Sequence, residues 1–297
     1  MNVRARGEKR FEFIAHVVMI VLSVFAILPF ILLVSASFTD EASAVANGFR
    51  FIPEKVSMVA YEYLFAEWTQ IGRAYLITII VTLVGTILCL AITTMFSYAL
   101  TVKKVPGLKL IFFLTLFSML FRGGVVSTYY IYCNLIHIKN TIWALIVPQL
   151  LMSGFNIILI KNYITNQIPG ELLEAAEIDG AGQFRIFFKI VVPLSTPILA
   201  TIGLLSAVNY WNDWNNGLYY ITDSNLYSIQ QLLNQMNNNV QFLISNASQL
   251  GIKNTGTLPS TTMRMAIAVV AIVPIISVYP FFQKYFAKGI TMGAVKG

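Results

Sequence analysis

A short run of aromatic, amide and carboxylate side chains has the residue types that ligand recognition needs: Tyr210-Trp211-Asn212-Asp213-Trp214. Aromatic rings stack on the apolar faces of sugars, and amide and carboxylate groups hydrogen-bond to their hydroxyls. The same run is also typical of the aromatic belt that anchors a helix at a membrane–water interface. Both interpretations stay open, and these five residues are candidates for a substrate pathway.

A second candidate for the pathway is Arg122, which lies beside Gly123-Gly124 in otherwise apolar sequence. A charged side chain at membrane depth is costly, so such residues usually face a cavity or a partner. Arg122 is therefore a candidate to pair with a carboxylate of a ligand or of a neighbouring protein, which a guanidinium can bind in a two-pronged way. The alternative is that its long side chain snorkels to the interface.

The sequence lacks the residue patterns of enzymes, metal sites and nucleotide-binding sites. The two cysteines, Cys89 and Cys133, form no disulfide framework. There is no CxxC pair, no histidine cluster and no Gly-x4-Gly-Lys-Ser/Thr phosphate loop. We therefore expect no catalytic residue, and neither a metal nor a cofactor bound by this chain, which is predicted not to be an enzyme.

The composition is that of a membrane protein. Hydrophobic residues make up 57% and charged residues 11% of the 297 positions, whereas soluble domains carry roughly 25% charged residues. The net charge of +7 does not come from one basic patch, so no nucleic acid is expected as a partner. The basic residues alternate with long apolar runs, as they do in a protein embedded in a lipid bilayer.

Five apolar runs are long enough to cross the hydrocarbon core, which takes about 20 residues. They contain no Asp, Glu, Lys or Arg and comprise residues 13–38, 74–102, 140–160, 190–212 and 265–283. A sixth crossing is predicted to begin near Pro106, to break at Gly123-Gly124 and to continue as an interfacial or re-entrant segment. The predicted fold class is therefore an all-α integral membrane protein with six transmembrane helices.

Both termini are predicted to be cytoplasmic. In that orientation the inner segments have about three times the density of Lys and Arg found in the outer segments. The first apolar run is too long for a typical signal peptide and has no clear cleavage site, so it is kept as a membrane helix. No internal repeat is visible, which leaves an inverted-repeat transporter without support.

The cytoplasmic segment 161–189 predicts a short helix that projects from the membrane. Pro169 suits the start of a helix, an acidic first turn complements its positive end, and Gly180 and Gly182 end or bend it. Helices that lie on lipid usually carry Lys or Arg on the polar face, whereas this one is acidic, which favours a protein partner. A second amphipathic piece, 184–189, leads into the next apolar run.

The spacing in this segment resembles the EAA loop of ABC-importer permeases. Glu174-Ala175-Ala176 is followed after three residues by Gly180, and after nine more by Ile190-Val191-Val192-Pro193, where the family pattern has Leu in place of Val192. The triplet Asp179-Gly180-Ala181 is similar to that of the carbohydrate-uptake branch. The tail 291–297 resembles the Gly-x-Val-Lys-Gly ending of MalG-like permeases, and the resemblance covers roughly 72–297.

The resemblance implies the type I ABC importer permease fold with a cytoplasmic EAA coupling helix. A core permease domain would span 74–284 and contain the EAA loop at 169–193. Residues 1–73 would form an N-terminal tail, first helix and outer loop, and 285–297 a cytoplasmic tail. The residues implied to couple to an ATPase are Glu174, Ala175, Ala176, Asp179, Gly180, Ala181 and Pro193. The tail residues implied to reach the ATPase interface are Gly293, Val295, Lys296 and Gly297.

The resemblance also implies the partners of an importer. A second homologous permease would complete the pathway, two copies of a cytoplasmic ABC ATPase would bind ATP and Mg²⁺, and an extracellular solute-binding protein would deliver a carbohydrate. The Asn- and Gln-rich outer segment 213–264 would dip into that protein or serve as a solvated connector. The carboxylate that pairs with Arg122 would then belong to an acidic oligosaccharide or to the second permease. The resemblance places the protein in a bacterial plasma or inner membrane.

Alternatives to carbohydrate import come from two directions. A secondary transporter or channel is the alternative from another class, although such proteins usually place paired ionisable residues within their spans, which this sequence hardly does. Within the importers, a peptide or ion permease shares the loop but rarely this tail. The function predicted is therefore that of a carbohydrate permease subunit, with an oligosaccharide as cargo.

Overall fold

The computed structural model describes residues 6–102, 106–121, 123–245, 261–274 and 276–277. The secondary structure of these residues is helical, together with one isolated antiparallel bridge between Thr39 and Val56, which confirms the all-α prediction. The α-helices are α1 (Arg6–Ser37), α2 (Glu41–Asn47), α3 (Val59–Ala66), α4 (Trp68–Ala99), α5 (Leu108–Leu120), α6 (Gly124–Tyr130), α7 (Trp143–Ile146), α8 (Gly154–Gln167), α9 (Gly170–Ile178), α10 (Gln183–Ile186), α11 (Val192–Leu194), α12 (Thr196–Asn212), α13 (Asn215–Tyr220), α14 (Ile229–Ser245) and α15 (Thr261–Pro274). Two π-helical turns, Ile131–Leu135 and Phe187–Val191, and a 3-10 turn, Ser224–Leu226, complete them.

Two of these helices are long and apolar enough to cross a membrane by themselves. They are the Phe11–Ser37 part of α1, with 27 residues, and α4, with 32 residues. At 1.5 Å per residue both exceed the roughly 30 Å hydrocarbon core. The bent pair Gln183–Leu194 and Thr196–Asn212 passes the same test when it is taken as one span. Among the described residues the predicted count of six is therefore not reached by length and composition alone.

The break that the sequence predicts at the two glycines is present. Helix α5 ends at Leu120, and α6 begins at Gly124, whose φ is +78°. A left-handed residue of this kind cannot continue an α-helix, and glycine adopts the conformation without steric cost. Arg122 itself lies outside the described residues.

The predicted span 140–160 is not one continuous helix. Helix α7 stops at Ile146, the chain is irregular through Val147–Ser153, and α8 then continues past Ile160 to Gln167. Pro148 has no backbone N–H, and Gln149 has a φ of +63°, so a helix cannot pass through these two positions. Helix α8 therefore extends seven residues beyond the predicted end of this span at residue 160.

The predicted span 190–212 is also not straight. A continuous helical stretch, Gln183–Leu194, precedes Ser195, and α12 leaves at an angle of 79° to it. Pro197 cannot donate to the carbonyl of Pro193, so the ladder is interrupted here. The Thr196 hydroxyl donates to that carbonyl at 2.7 Å instead, which satisfies the acceptor that the bend leaves open.

The chain divides into two compact units, Met1–Trp68 with Gln235–Ile275 and Thr69–Asn234 with Ile276–Gly297. Two buried cores lie among the described residues of the second unit. The first core consists of Ile77, Val81, Cys89, Ala144, Leu145, Ile146, Tyr210, Tyr220 and Ile221. The second core consists of Tyr98, Ile160, Ile164, Ile168, Ile186, Phe187, Val191 and Ile202. The division predicted from the sequence, with boundaries after 73 and 284, stays a prediction.

In the first unit a buried carboxylate caps α15. The oxygens of Glu41, a residue 7% exposed, accept hydrogen bonds from the backbone N–H groups of Thr261 and Thr262 at 2.9 Å each and from the Thr262 hydroxyl at 2.7 Å. The first N–H groups of a helix have no partner within it, and an anion there also benefits from the helix dipole.

We expect Glu41→Ala to lower the free energy of unfolding by about 2 kcal/mol, because buried donors lose a charged acceptor. The thermal midpoint of the detergent-solubilised protein measures the effect. Glu62→Ala is the matched control, since Glu62 is an exposed carboxylate on α3 of the same unit. Equal midpoints for the two variants would contradict the role given to Glu41.

Candidate functional site

The EAA segment forms a short helix whose end is fixed by glycine. Helix α9 runs from Gly170 to Ile178, and Gly180 has a φ of +78°. The N–H of Gly180 donates to the carbonyl of Glu177 at 3.0 Å, and that of Ala181 donates to Ala176 at 2.9 Å. This pair of bonds is the Schellman arrangement, which needs a left-handed residue after the helix. The helix ending predicted at Gly180 is therefore confirmed.

The two sides of this loop have different surroundings. Leu173, Ala176 and Ala181 pack against the second core, so two of the small residues assigned to coupling face the chain's own interior. The other side is exposed, and its most exposed large apolar residue is Ile178, at 86%. The remaining coupling candidates on the exposed side are Glu174, Ala175, Asp179, Gly180 and Pro193. The loop thus exposes an acidic and apolar surface, while its opposite side is packed against the second core.

A polar chain connects this loop to the end of α4. The Tyr98 hydroxyl donates to Oε1 of Gln183 at 2.6 Å, and Nε2 of Gln183 donates to the carboxylate of Glu177 at 2.8 Å. The Tyr98 ring also packs on Phe187, with 5.5 Å between centroids. The sequence analysis did not find this connection, because Tyr98 and Gln183 are 85 residues apart and no local pattern links them.

An apolar cavity of about 240 Å³ lies beside that chain. Its lining residues are Met95, Tyr98, Ala99, Val102, Gln183, Phe184 and Phe187. The base of the loop is therefore joined to α4 by this polar connection and by the packing of Tyr98 on Phe187, and an unfilled cavity lies beside both.

At the other end of α12, the candidate pathway residues lie in different surroundings. Tyr210 is 2% exposed and donates its hydroxyl to the carbonyl of Ile146 at 3.0 Å, so it is a core residue. Trp211 packs near Tyr75, with ring centroids 6.4 Å apart, and its buried indole N–H has no hydrogen-bond partner among the described residues. Asn212 and Trp214 are exposed. Of the aromatic residues in the run, Trp211 and Trp214 are therefore the ones accessible to a ligand.

Asp213 caps the helix that follows. Its Oδ1 accepts the backbone N–H groups of Asn215 and Asn216 at 3.2 and 3.3 Å, at the start of α13. Burial raises the pKa of Asp213 to about 6, against the lowering effect of the hydrogen bonds from Asn216 and Asn215. The carboxyl group is half-buried and changes charge close to physiological pH.

We expect this titration to make stability pH-dependent. The pKa is raised on folding from an unfolded value of about 3.9, so the folded state holds the proton more tightly. Stability should therefore fall as pH rises from about 4 to about 6 and then level off. Thermal midpoints measured across that range for wild type and Asp213→Asn isolate the effect, because asparagine keeps the capping oxygen. Parallel curves for the two proteins would contradict the assignment.

A second polar connection at this end joins two segments far apart in sequence. Oδ1 of Asn140 accepts the N–H of Thr222 at 2.7 Å, and Nδ2 of Asn140 donates to the Thr222 hydroxyl at 2.8 Å. Asn140 adopts a φ of +56°, which asparagine tolerates better than most residues.

The tail candidates Gly293, Val295, Lys296 and Gly297 lie outside the described residues, as Arg122 does.

The comparison with protein families agrees with the EAA spacing. Residues 95–292 match the model of the family described as binding-protein-dependent transport system inner membrane component. This match spans α9 and the polar chain from Tyr98 to Glu177. The chain belongs to this family. It is thus the membrane-embedded permease component of an ABC transport system, as the sequence predicted.

Named relatives and a solved structure extend the similarity over almost the whole permease. One relative is the polygalacturonan/rhamnogalacturonan transport system permease protein YtcP of Bacillus subtilis, to which this chain is 37% identical. The alignment covers 98% of this chain and 99% of the relative. This permease is 38% identical to the protein LplC of the same organism over 91% of this chain and 90% of the relative's. A crystal structure of a bacterial ABC transporter involved in the import of the acidic polysaccharide alginate matches with a TM-score of 0.77 and 27% identity, covering 96% of this chain and 100% of that one.

Proposed function

We propose that this permease is a subunit of an ATP-driven importer that carries an acidic oligosaccharide into a bacterial cell. The observation that carries the proposal is near full-length similarity to two transport proteins of related cargo. The first is named for polymers built from galacturonate, whose ring bears a carboxylate, and the second for an acidic polysaccharide. Exposed Trp214 and half-buried Trp211 beside Asp213 suit the stacking and hydrogen bonding that sugars require.

Helix α9 is the element proposed to couple the permease to its ATPase. Its exposed side offers carboxylates and the protruding Ile178, while Leu173 and Ala176 hold its base on the second core. A rigid, seated projection of this kind can transmit a displacement, because packed elements move as bodies. The same proposal includes six membrane crossings, with α5 and α6 as one broken crossing and α12 as another.

The proposed assembly contains a second homologous permease, two copies of a cytoplasmic ABC ATPase that hold ATP and Mg²⁺, and an extracellular solute-binding protein. The family description itself names dependence on a binding protein. Both termini are proposed to be cytoplasmic, because this orientation puts the segments richer in Lys and Arg on the cytoplasmic side. The tail 285–297 is proposed to reach the ATPase interface.

The test is uptake by proteoliposomes that contain the complex purified with this permease. ATP inside and binding protein with labelled oligogalacturonate outside should give accumulation that stops when ATP is omitted. Malto-oligosaccharide of equal length is the neutral comparison. Uptake that persists without ATP would overturn the proposal in favour of a secondary transporter. ATP-driven uptake of the neutral sugar alone would overturn the acidic cargo and leave the importer.

Arg122 provides a separate test of the acidic cargo. If it pairs with a carboxylate of the substrate, Arg122→Ala should reduce uptake of the uronate-bearing oligosaccharide by about tenfold and spare a neutral one, since a bond to a charged group stabilises by about 1.5–3 kcal/mol. If Arg122→Ala transports both sugars equally well, Arg122 does not bind the substrate, and it pairs instead with the partner permease or extends to the membrane interface.

A further inference from the structure

The helical stretch Gln183–Leu194 has a geometry that the proposed coupling role does not use. It meets α12 at 79°, so when α12 crosses the bilayer this stretch runs nearly parallel to the membrane surface. Its buried residues, among them Ile186, Phe187 and Val191, belong to the second core. One side is thus fixed to the protein, and the other side is exposed.

The exposed side combines large aromatic and basic residues. Phe184 and Phe188 are 71% and 60% exposed, and Arg185 and Lys189 are exposed beside them. Among the described parts of the chain, neither basic residue forms an ion pair. Aromatic rings on one edge and cations on the next are the pattern of a helix that lies in a membrane interface.

We propose that Gln183–Leu194 is an interfacial helix that binds anionic phospholipid of the cytoplasmic leaflet. Phe184 and Phe188 enter the boundary between headgroups and acyl chains, and Arg185 and Lys189 pair with phosphate oxygens. The placement in the cytoplasmic leaflet rests on the proposed orientation of the permease. Charge complementarity selects the lipid: anionic headgroups attract each nearby Lys or Arg by about fivefold in affinity, whereas zwitterionic lipid does not.

The neighbouring α9 shows why the two helices of this loop have different partners. Its exposed side carries Glu171, Glu174 and Glu177, which anionic lipid repels, and it therefore suits a protein. The exposed side of Gln183–Leu194 has the opposite charge, because it carries Arg185 and Lys189. Lipid bound there would hold the base of the loop against the membrane while α9 projects away from it.

Photo-cross-linking in the intact complex tests the proposal. p-Benzoylphenylalanine is placed at Phe188 in one variant and at Ile178 in another, and the complexes are put into nanodiscs of equal phosphatidylcholine and phosphatidylglycerol. Mass spectrometry identifies the adducts. We expect lipid adducts at position 188, with phosphatidylglycerol in about 25-fold excess from the two basic residues together, and an ATPase adduct at position 178.

The charge dependence is tested with Arg185→Gln/Lys189→Gln, which should bring the two lipid adducts close to parity. Arg50→Gln/Lys55→Gln removes the same charge elsewhere and should leave the excess unchanged. A protein adduct at position 188, or equal lipid adducts in the wild-type background, would overturn the interfacial helix. If position 188 still captures phosphatidylglycerol while position 178 captures no ATPase, the lipid site stands and the coupling role fails.

Discussion

Gly180→Val is expected to abolish ATP-driven uptake while the permease still folds and inserts. Gly180 has a φ of +78°, a conformation that costs an L-residue about 1–2 kcal/mol and a β-branched one more. To avoid it the chain must give up the two bonds that end α9, from Gly180 to Glu177 and from Ala181 to Ala176. The last turn of α9, the proposed coupling helix, then unwinds, and Ile178 leaves its position.

Two measurements separate this effect from misfolding. Uptake by proteoliposomes should fall below about a tenth of wild type, since every 1.4 kcal/mol is tenfold in an equilibrium. Size-exclusion profiles in detergent should be unchanged, because a Cβ at Gly180 meets nothing within 4 Å. A pull-down should recover less ATPase from the variant.

Gly182→Val is the matched control for this prediction. Gly182 is also exposed, and a Cβ there meets nothing within 4 Å, but its φ of −69° and ψ of 158° suit any residue. Uptake by this variant should stay close to wild type. Equal loss in both variants would show that bulk on the loop matters rather than backbone conformation, and the argument from φ would fail.

Local features of the sequence predicted local structure well. Gly180 ends a helix and Gly123-Gly124 interrupts one because a glycine at positive φ does this wherever it stands. The EAA spacing lies within one loop, so it could be read without knowing the fold. These features needed no information about residues distant in sequence.

Hydropathy predicted the continuity of the helices less well. It indicates which residues avoid water, but it does not show where a helix breaks or bends. The run 140–160 is mostly apolar and contains no charged residue, yet Pro148 and Gln149 break it into α7 and α8. The run 190–212 is interrupted at Ser195 for the similar reason that Pro197 cannot complete the ladder. A proline within an apolar run was the available signal in both cases.

Long-range contacts were outside the reach of the sequence. Tyr210 was a candidate for sugar recognition because of its neighbours along the chain, but its ring lies over Gly85 and its hydroxyl is bound to Ile146. The chain from Tyr98 through Gln183 to Glu177 was not predicted either. Both depend on which helices become neighbours, which a single sequence does not specify.

The contact between Gly85 and Tyr210 predicts the largest effect on stability. A Cβ built on Gly85 would lie 2.6 to 2.8 Å from three ring atoms of Tyr210, far inside contact distance. The ring cannot move aside cheaply, because Tyr210 is 2% exposed and its hydroxyl donates to Ile146 at 3.0 Å. We expect Gly85→Val to lower the free energy of unfolding by about 3 kcal/mol through overpacking and the loss of that bond.

Gly72→Val on the same helix is the matched control, since a Cβ at Gly72 meets nothing within 4 Å and valine is slightly the better helix former. The thermal midpoint in detergent should drop by roughly 5–10 °C for Gly85→Val and stay near wild type for Gly72→Val. Tyr210→Leu should cost less in the Gly85→Val background than in wild type, because the smaller side chain relieves the overlap. Additive losses in the double variant would mean that the two residues do not press on each other, and the close approach of α4 and α12 would need another cause.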